Sequence, residues 1–297
     1  MMNGADHLKI MSKEGKTFYF ASRWLCPEIR NQVAIAYQFC RMVDDIADQV
    51  TDLKIREESL AVIYNTIASG SSNNPAFSQI LELVAEFPEI QSPLLKLISM
   101  CRDDVPGRVI KTEAELFDYA QGVAGTVGLL MYPILGGTLP EGQTAAATLG
   151  VAMQYSNIAR DVMRDFEENR QYLPKEWLNN HELKDILSTS GCMKLGISRQ
   201  EGDSLIVAAV RKLLNLADEY YEQGINGLVY LKPRNRFAIR VAARCYQAIG
   251  RRVITSDKKI NLNRAVVPLR EKCLITISQA RWISNDLLAP RRETQAL

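Results

Sequence analysis

Two short stretches hold most of the chemistry this chain can offer. Arg41-Met42-Val43-Asp44-Asp45-Ile46-Ala47-Asp48 and Asn157-Ile158-Ala159-Arg160-Asp161-Val162-Met163-Arg164-Asp165 each set two aspartates four residues apart in otherwise apolar sequence. Four residues make about one helical turn, so the paired carboxylates point the same way. In the second stretch Asn157, Asp161 and Asp165 form one stripe, with Gln154 a turn earlier. Magnesium takes oxygen ligands and keeps several waters, so few carboxylates per ion suffice. Two such faces opposed across a bundle can hold a cluster of divalent cations, and that cluster can hold a diphosphate. Arg41 and Arg160 add the fixed positive charge that a polyphosphate needs. The matching chemistry is Lewis-acid stabilisation of a departing diphosphate. Apolar helix walls would then shelter the allylic carbocation from water.

Each cluster alone has a plainer reading. The first can be a solvated helix end with its aspartates paired to Arg41, and the second an exposed polar stripe. The apolar run before Arg160 argues against an exposed stripe. Asp103-Asp104 reads as a turn, because Pro106 and Gly107 follow and no partner cluster does, so it is set aside. Gly122, Gly125 and Gly128 recur every third residue without the dinucleotide fingerprint. They fit close helix–helix approach, or a kink that clears space for a long substrate.

Helical periodicity dominates the elements around these residues, and no strand pattern stands out. Helices are expected at 28–50, with Pro27 at the first turn, and at 51–68, 76–86, 92–101, 113–135 and 141–166. Residues 171–177 read as extended, 179–186 as a short helix and 188–196 as a loop. Longer helices follow at 198–227, 236–255 and 267–287, and 289–297 is expected to be a frayed tail. No linker separates domains, so residues 1–297 are read as a single all-α domain, a helix bundle.

Composition narrows the function classes. The 297 residues are 47% hydrophobic and 24% charged, with net charge +2 and no basic tract, which argues against a nucleic-acid partner. Six dispersed cysteines without a CxxC pair, and only two histidines, argue against zinc and for a reduced, cytoplasmic protein. Asp6, Lys9, Lys13 and Glu14 interrupt any leader-like apolar run. Between Asp118 and Arg160 the one formal charge is Glu141, but Pro133, Gly136-Gly137 and Pro140 break the stretch, so core helices explain it better than a membrane span.

At these residues the chain resembles the squalene/phytoene synthase family, and bacterial phytoene synthases above all. The resemblance runs through Thr17-Phe18-Tyr19-Phe20-Ala21-Ser22, the RxxDDxxD segment at 41–48, and Tyr119 followed by Val123-Ala124-Gly125-Thr126-Val127-Gly128. It continues through Gln154, Asn157-Ile158-Ala159-Arg160-Asp161, Asp165 and Tyr172-Leu173-Pro174. It implies an isoprenoid synthase bundle with a central cavity and head-to-head (1′-1) condensation of two prenyl diphosphates. It implies Mg2+, with Mn2+ as a substitute, on Asp44, Asp45, Asp48, Asn157, Asp161 and Asp165. Arg41, Arg160, Arg264 and Tyr246 would bind diphosphate, and Tyr37, Tyr119, Gln154, Tyr172 and Phe18 would line the reacting end. Departures are Glu14-Gly15-Lys16, where relatives carry hydroxyl or histidine phosphate contacts, and Arg164, where an acid is common.

Chain length is read from Ser22, one turn after Phe18, and Ala34, two turns before Arg41. Both are small where a C15-selective relative tends to carry an aromatic plug. The expectation is therefore two geranylgeranyl diphosphates joined through prephytoene diphosphate to 15-cis-phytoene, the entry to carotenoid biosynthesis, with no NADPH. The alternatives are a C30 synthase making dehydrosqualene, squalene or hydroxysqualene, a terpene cyclase, and a catalytically silent assembly factor. Intact metal clusters argue against the last. Peripheral membrane contact is expected from lipid substrate and product, on a surface the sequence does not identify, and the oligomeric state is open.

Overall fold

The computed structural model describes residues 4–256, 259–260 and 265–288. The expected tail at 289–297 and Arg264 lie outside the described residues. The first helices are α1 (Gly4–Glu14), α2 (Lys16–Ser22), α3 (Pro27–Gln49), α4 (Leu53–Ser69), α5 (Ser78–Glu86), α6 (Gln91–Asp103) and α7 (Glu113–Ala120). They are followed by α8 (Thr126–Ile134), α9 (Pro140–Glu167), α10 (Leu183–Leu187), α11 (Thr189–Leu195), α12 (Arg199–Asn226), α13 (Pro233–Arg251) and α14 (Leu269–Leu288). The fold is all-α, apart from a short antiparallel hairpin of Ile254–Ser256 with Lys259–Ile260.

The ends follow local chemistry. Proline occupies the first turn of α3, α9 and α13, where its missing N–H costs nothing. Asp52 caps α4 by accepting from the N–H groups of Lys54 and Ile55, and Gly70 closes it in the left-handed region. Ser198 and Glu201 make a capping box on α12. The stretch at 188–196, expected as a loop, is α11: Ser188 accepts from the Gly191 N–H and Gly196, at φ 69°, ends the helix. Its few apolar residues hide the period. α1 and α2 were also not expected, and the helix read as 236–255 stops at Arg251 and gives way to the hairpin.

The stretch read as one helix over 113–135 is a rod with a π-helical turn at Gln121–Gly125. Its glycines serve close approach. A Cβ on Gly128 would lie 2.1 Å from the Ala146 carbonyl oxygen, and one on Gly150 would lie 2.1 Å from that of Ala124. Backbone thus meets backbone between α8, the π-turn and α9. The long α9 is the central element, packed against α8, α12 and α13. One core gathers around α9, α12 and α13, and a second around α3 to α6 and α8. A cavity between them takes its lining from both.

Candidate active site

The cavity has a volume of about 360 Å³. From α3 it receives Val33, Tyr37, Cys40, Arg41, Asp44, Ala47 and Asp48. At about 100° per residue, these fall on one stripe of the helix. Asp45 and Ala34 sit roughly 80–100° from the centre of that stripe, and neither lines the cavity. From α9 come Gly142, Leu149, Met153, Gln154 and Asn157, so the polar groups of both helices meet at one end of an apolar space.

Arginines hold the acids at this end. Arg41 Nη1 lies 3.0 Å from Asp44 Oδ2, and Nη2 lies 2.5 Å from Asp45 Oδ1. Arg160 grips Asp161 through both Nε, at 2.9 Å, and Nη2. Arg170 donates from Nη1 to Asp48 Oδ1 at 2.6 Å and reaches Glu168 Oε2 at 3.4 Å. Arg170 is 7% exposed and bridges the first acidic cluster to the segment after the second. Nothing in its sequence surroundings marks it, because it stands in a turn outside either motif. Arg164 donates to Glu168 Oε1 at 2.9 Å. The arginine at 164 therefore counterbalances the second cluster.

The carboxylates are crowded. Burial first, then Asp48 and Asp45, raises Asp44 to about 6, against the pull of Arg41 and Arg170. Burial, then Asp161 and Glu168, raises Asp165 to about 8, against Arg164 and Arg170. Among the described residues, no three Asp, Glu, His or Cys side chains converge tightly enough to hold an ion as they stand. The carboxylates of Asp44, Asp45, Asp48 and Asp161 are turned to guanidinium groups instead. The donor set nonetheless fits a hard divalent cation: every group is an oxygen donor, and Asp44 and Asp165 are raised by burial first and by neighbouring carboxylates second, both of which a bound cation would offset. Asp44, Asp48, Asn157, Asp161 and Asp165 are the residues that would hold it.

Beside the acids, two expected residues gather around Asp104, which the sequence reading set aside. Tyr119 and Tyr172 stack with ring centroids 4.6 Å apart. Both hydroxyls donate to Asp104 Oδ2, at 3.1 and 2.7 Å. Asp104 is 7% exposed and lines the cavity with Tyr119, so treating it as an idle turn residue was mistaken. α6 runs two residues further than expected, to Asp103. Buried Arg56 stops it by donating to the carbonyls of Cys101, Arg102 and Asp104, which the helix end leaves open. Burial drives the hydroxyl pKa of both tyrosines well above the ordinary range. Arg108 lies over the Tyr119 ring, 4.8 Å from its centroid, and 3.7 Å from Asp104 Oδ1.

Other expected residues are placed as follows. Phe18 and Tyr37 line the cavity, and Phe18 sits 4.8 Å from the Tyr246 ring, centroid to centroid. A Cβ at Gly15 would lie 2.7 Å from Tyr37, so glycine lets α2 begin against that ring. Ser22 does not reach the cavity. The residue is 4% exposed, and its hydroxyl donates to the Tyr19 carbonyl and accepts from Arg30 Nε at 3.2 Å. Ala34 is fully buried in packing. The far end is instead walled by Tyr132, Leu135, Leu228 and Leu231. Among the described residues no helix is long and apolar enough to cross a membrane.

Comparison with known proteins agrees with the all-α fold. The family model described as squalene/phytoene synthase matches residues 11–271. The 15-cis-phytoene synthase of Paracoccus sp. (strain N81106 / MBIC 01143) is 28% identical over 257 residues, 82% of this chain and 79% of the relative. The 4,4′-diapophytoene synthase of Staphylococcus haemolyticus is 29% identical over 265 residues, 87% of this chain and 90% of the relative. A bifunctional lycopene cyclase/phytoene synthase of Pyrenophora tritici-repentis is 27% identical over 295 residues, and this chain spans only 48% of its length. The crystal structure of a dehydrosqualene synthase in complex with ligand superposes with TM-score 0.78 at 25% identity, covering 95% of this chain and 96% of that one. With that match spanning most of its length, the chain belongs to the squalene/phytoene synthase family.

Proposed function

We propose that the protein joins two prenyl diphosphates head to head, and that the pair is geranylgeranyl diphosphate, giving 15-cis-phytoene through prephytoene diphosphate without NADPH. One observation carries the reading: Arg41, Asp44 and Asp48 of α3 meet the amides Gln154 and Asn157 of α9 at one end of a cavity whose remaining walls are mostly apolar. Mg2+, when bound, supplies the Lewis acid that stabilises the departing diphosphate. Asp44, Asp48, Asn157, Asp161 and Asp165 hold it in this reading. Arg41 and Arg160 offer charge-assisted hydrogen bonds to phosphate oxygens once released from their aspartates. Val123, Val127, Met131, Leu149 and Met153 keep water from the carbocation. The Tyr119 and Tyr172 hydroxyls donate their hydrogen bonds to Asp104, so their oxygens remain acceptors, and the phenol faces offer electron density to a nearby cation.

The C20 reading draws on the relatives named phytoene synthase. A C30 reading, two farnesyl diphosphates giving dehydrosqualene, is favoured by the staphylococcal relative at 29% identity. With Ser22 and Ala34 outside the wall, their size no longer separates the two. Purified protein with Mg2+ and either C15 or C20 diphosphate, with and without NADPH, distinguishes them by the hydrocarbon formed. Product from C20 supports the proposal, and product from C15 alone replaces it with the C30 reading. Turnover of neither overturns both.

A further inference from the structure

We propose that the end of the bundle carrying Trp24, Leu139 and Val229 rests on an anionic lipid surface, with the tail end of the cavity directly behind it. That a hydrocarbon must pass there rests on the condensation reading; the surface itself is argued from geometry. From Asn157 at the acidic end to Gly142 at the other, the cavity follows α9 for fifteen residues, about 22 Å at 1.5 Å per residue. Its polarity falls along that path, from carboxylates to Leu135, Leu228 and Leu231.

The wall at the apolar end is thin. A single 3-10 turn, Gly227–Tyr230, turns Leu228 inward to the cavity and leaves its neighbour Val229 52% exposed. Leu135 faces the cavity, and Leu139, at the other end of the turn that follows, is 50% exposed. Three segments meet there. Arg234 Nε donates to the Trp24 carbonyl at 2.7 Å, and Asn235 Nδ2 donates to that of Leu135 at 2.8 Å. Trp24, 42% exposed, packs edge-on against Phe237 with centroids 5.2 Å apart.

Charge at this end suits anionic headgroups. Arg23, Lys232 and Arg234 are exposed. No Asp or Glu occurs at 15–27, 119–140 or 223–256, the stretches that build the face. Glu28 and Glu141 follow the first two of these stretches, in the first turns of α3 and α9. Apolar tips ringed by cations are the two signals that together anchor a protein at a membrane surface. A second exposed apolar stripe, Leu269, Cys273 and Ile277 on α14, contributes no lining to the cavity and carries Glu271 in the same helix.

Sedimentation with phosphatidylcholine vesicles, with and without phosphatidylglycerol, tests the proposal. The wild type is expected to bind the anionic vesicles more tightly than the neutral ones. Leu139→Asp/Val229→Asp should weaken that binding about ten-fold or more. Lys232→Gln should weaken it about five-fold. Leu269→Asp/Ile277→Asp should leave it unchanged. Diphosphate release from detergent-dispersed substrate should persist in all three variants, which also reports their folding. Absence of wild-type binding, equal binding to both vesicle types, or loss in the α14 variant with retention in the Leu139/Val229 variant overturns the proposal. Failure of the wild type to release diphosphate removes the condensation reading and leaves the vesicle result to stand or fall alone.

Discussion

Arg170 and Asp48 stand 122 positions apart in the chain, yet a guanidinium nitrogen of one lies 2.6 Å from a carboxylate oxygen of the other. The contact joins the first acidic cluster to the turn that follows the second. Breaking a buried pair from one side strands the other charge. Asp48 is partly exposed, so the cost is discounted to about 1–3 kcal/mol for Arg170→Gln. Urea melts of Arg170→Gln, Asp48→Asn and the double variant should give a coupling of about 1 kcal/mol or more. Additive single effects would show that the contact contributes nothing.

Asp44 and Asp165 make the metal-free protein pH-sensitive in a defined direction. Their folded pKa values, about 6 and about 8, lie above the unfolded carboxylate value. The folded state therefore binds more protons than the unfolded one across that window, and stability falls as pH rises from about 4 to about 8. Thermal melts should show Tm falling over this range, with Asp165→Asn flattening the slope. Mg2+ should raise Tm more at pH 8 than at pH 6, because at lower pH it competes with protons. A Tm that climbs with pH in the absence of metal contradicts the assignment.

Asp104 acts through the two tyrosines it accepts from. Asp104→Ala leaves two buried hydroxyls without their acceptor, at about 1–3 kcal/mol each when no water replaces it. If Tyr119 and Tyr172 face the reacting carbons, their displacement should lower kcat about a hundred-fold while KM changes little. Steady-state kinetics beside a thermal melt separate this from general unfolding. Unchanged kcat in a folded variant removes the positioning role.

Tail length should respond to the far wall and not to the residues first suspected. Leu228→Phe adds bulk at the end of the cavity and is expected to lower C20 turnover relative to C15. Ser22→Phe and Ala34→Phe insert rings into closed packing, so they should destabilise by about 1–3 kcal/mol without altering that ratio. A ratio that shifts with Ser22→Phe but not with Leu228→Phe would reverse the assignment.

The acidic clusters were readable because helical spacing alone aligns Asp44 with Asp48 and carries Asn157 onto the same stripe as Asp161. Gln154 followed from the same periodicity, and Tyr37 from the family pattern. Asp104 and Arg170 were not readable, since both stand just outside helices, where period says nothing about direction. Their roles come from tertiary contacts made by Arg56, Tyr119 and Asp48. Ser22 and Ala34 misled for a related reason: a shared helix face does not say whether that face looks onto a cavity or onto packed neighbours. α1, α2 and α11 were missed because short helices depend on tertiary packing and caps more than on their own period.

The π-helical turn at Gln121–Gly125 sets the phase of the rod on either side of it. Tyr119, Val123, Val127, Met131 and Leu135 all line the cavity, at strict four-residue intervals. On an ideal α-helix each such step drifts about 40°, so the fifth residue would have turned some 160° from the first. A π-turn holds one residue more than an α-turn and winds the rod back by about one residue's angle. A side of the cavity spanning seventeen positions is thus kept in line by one surplus residue. Removing a residue from that turn would rotate everything beyond it by about 100°, with each side chain's chemical identity unchanged. Here the number of residues in a turn, and not their kind, decides what the cavity touches.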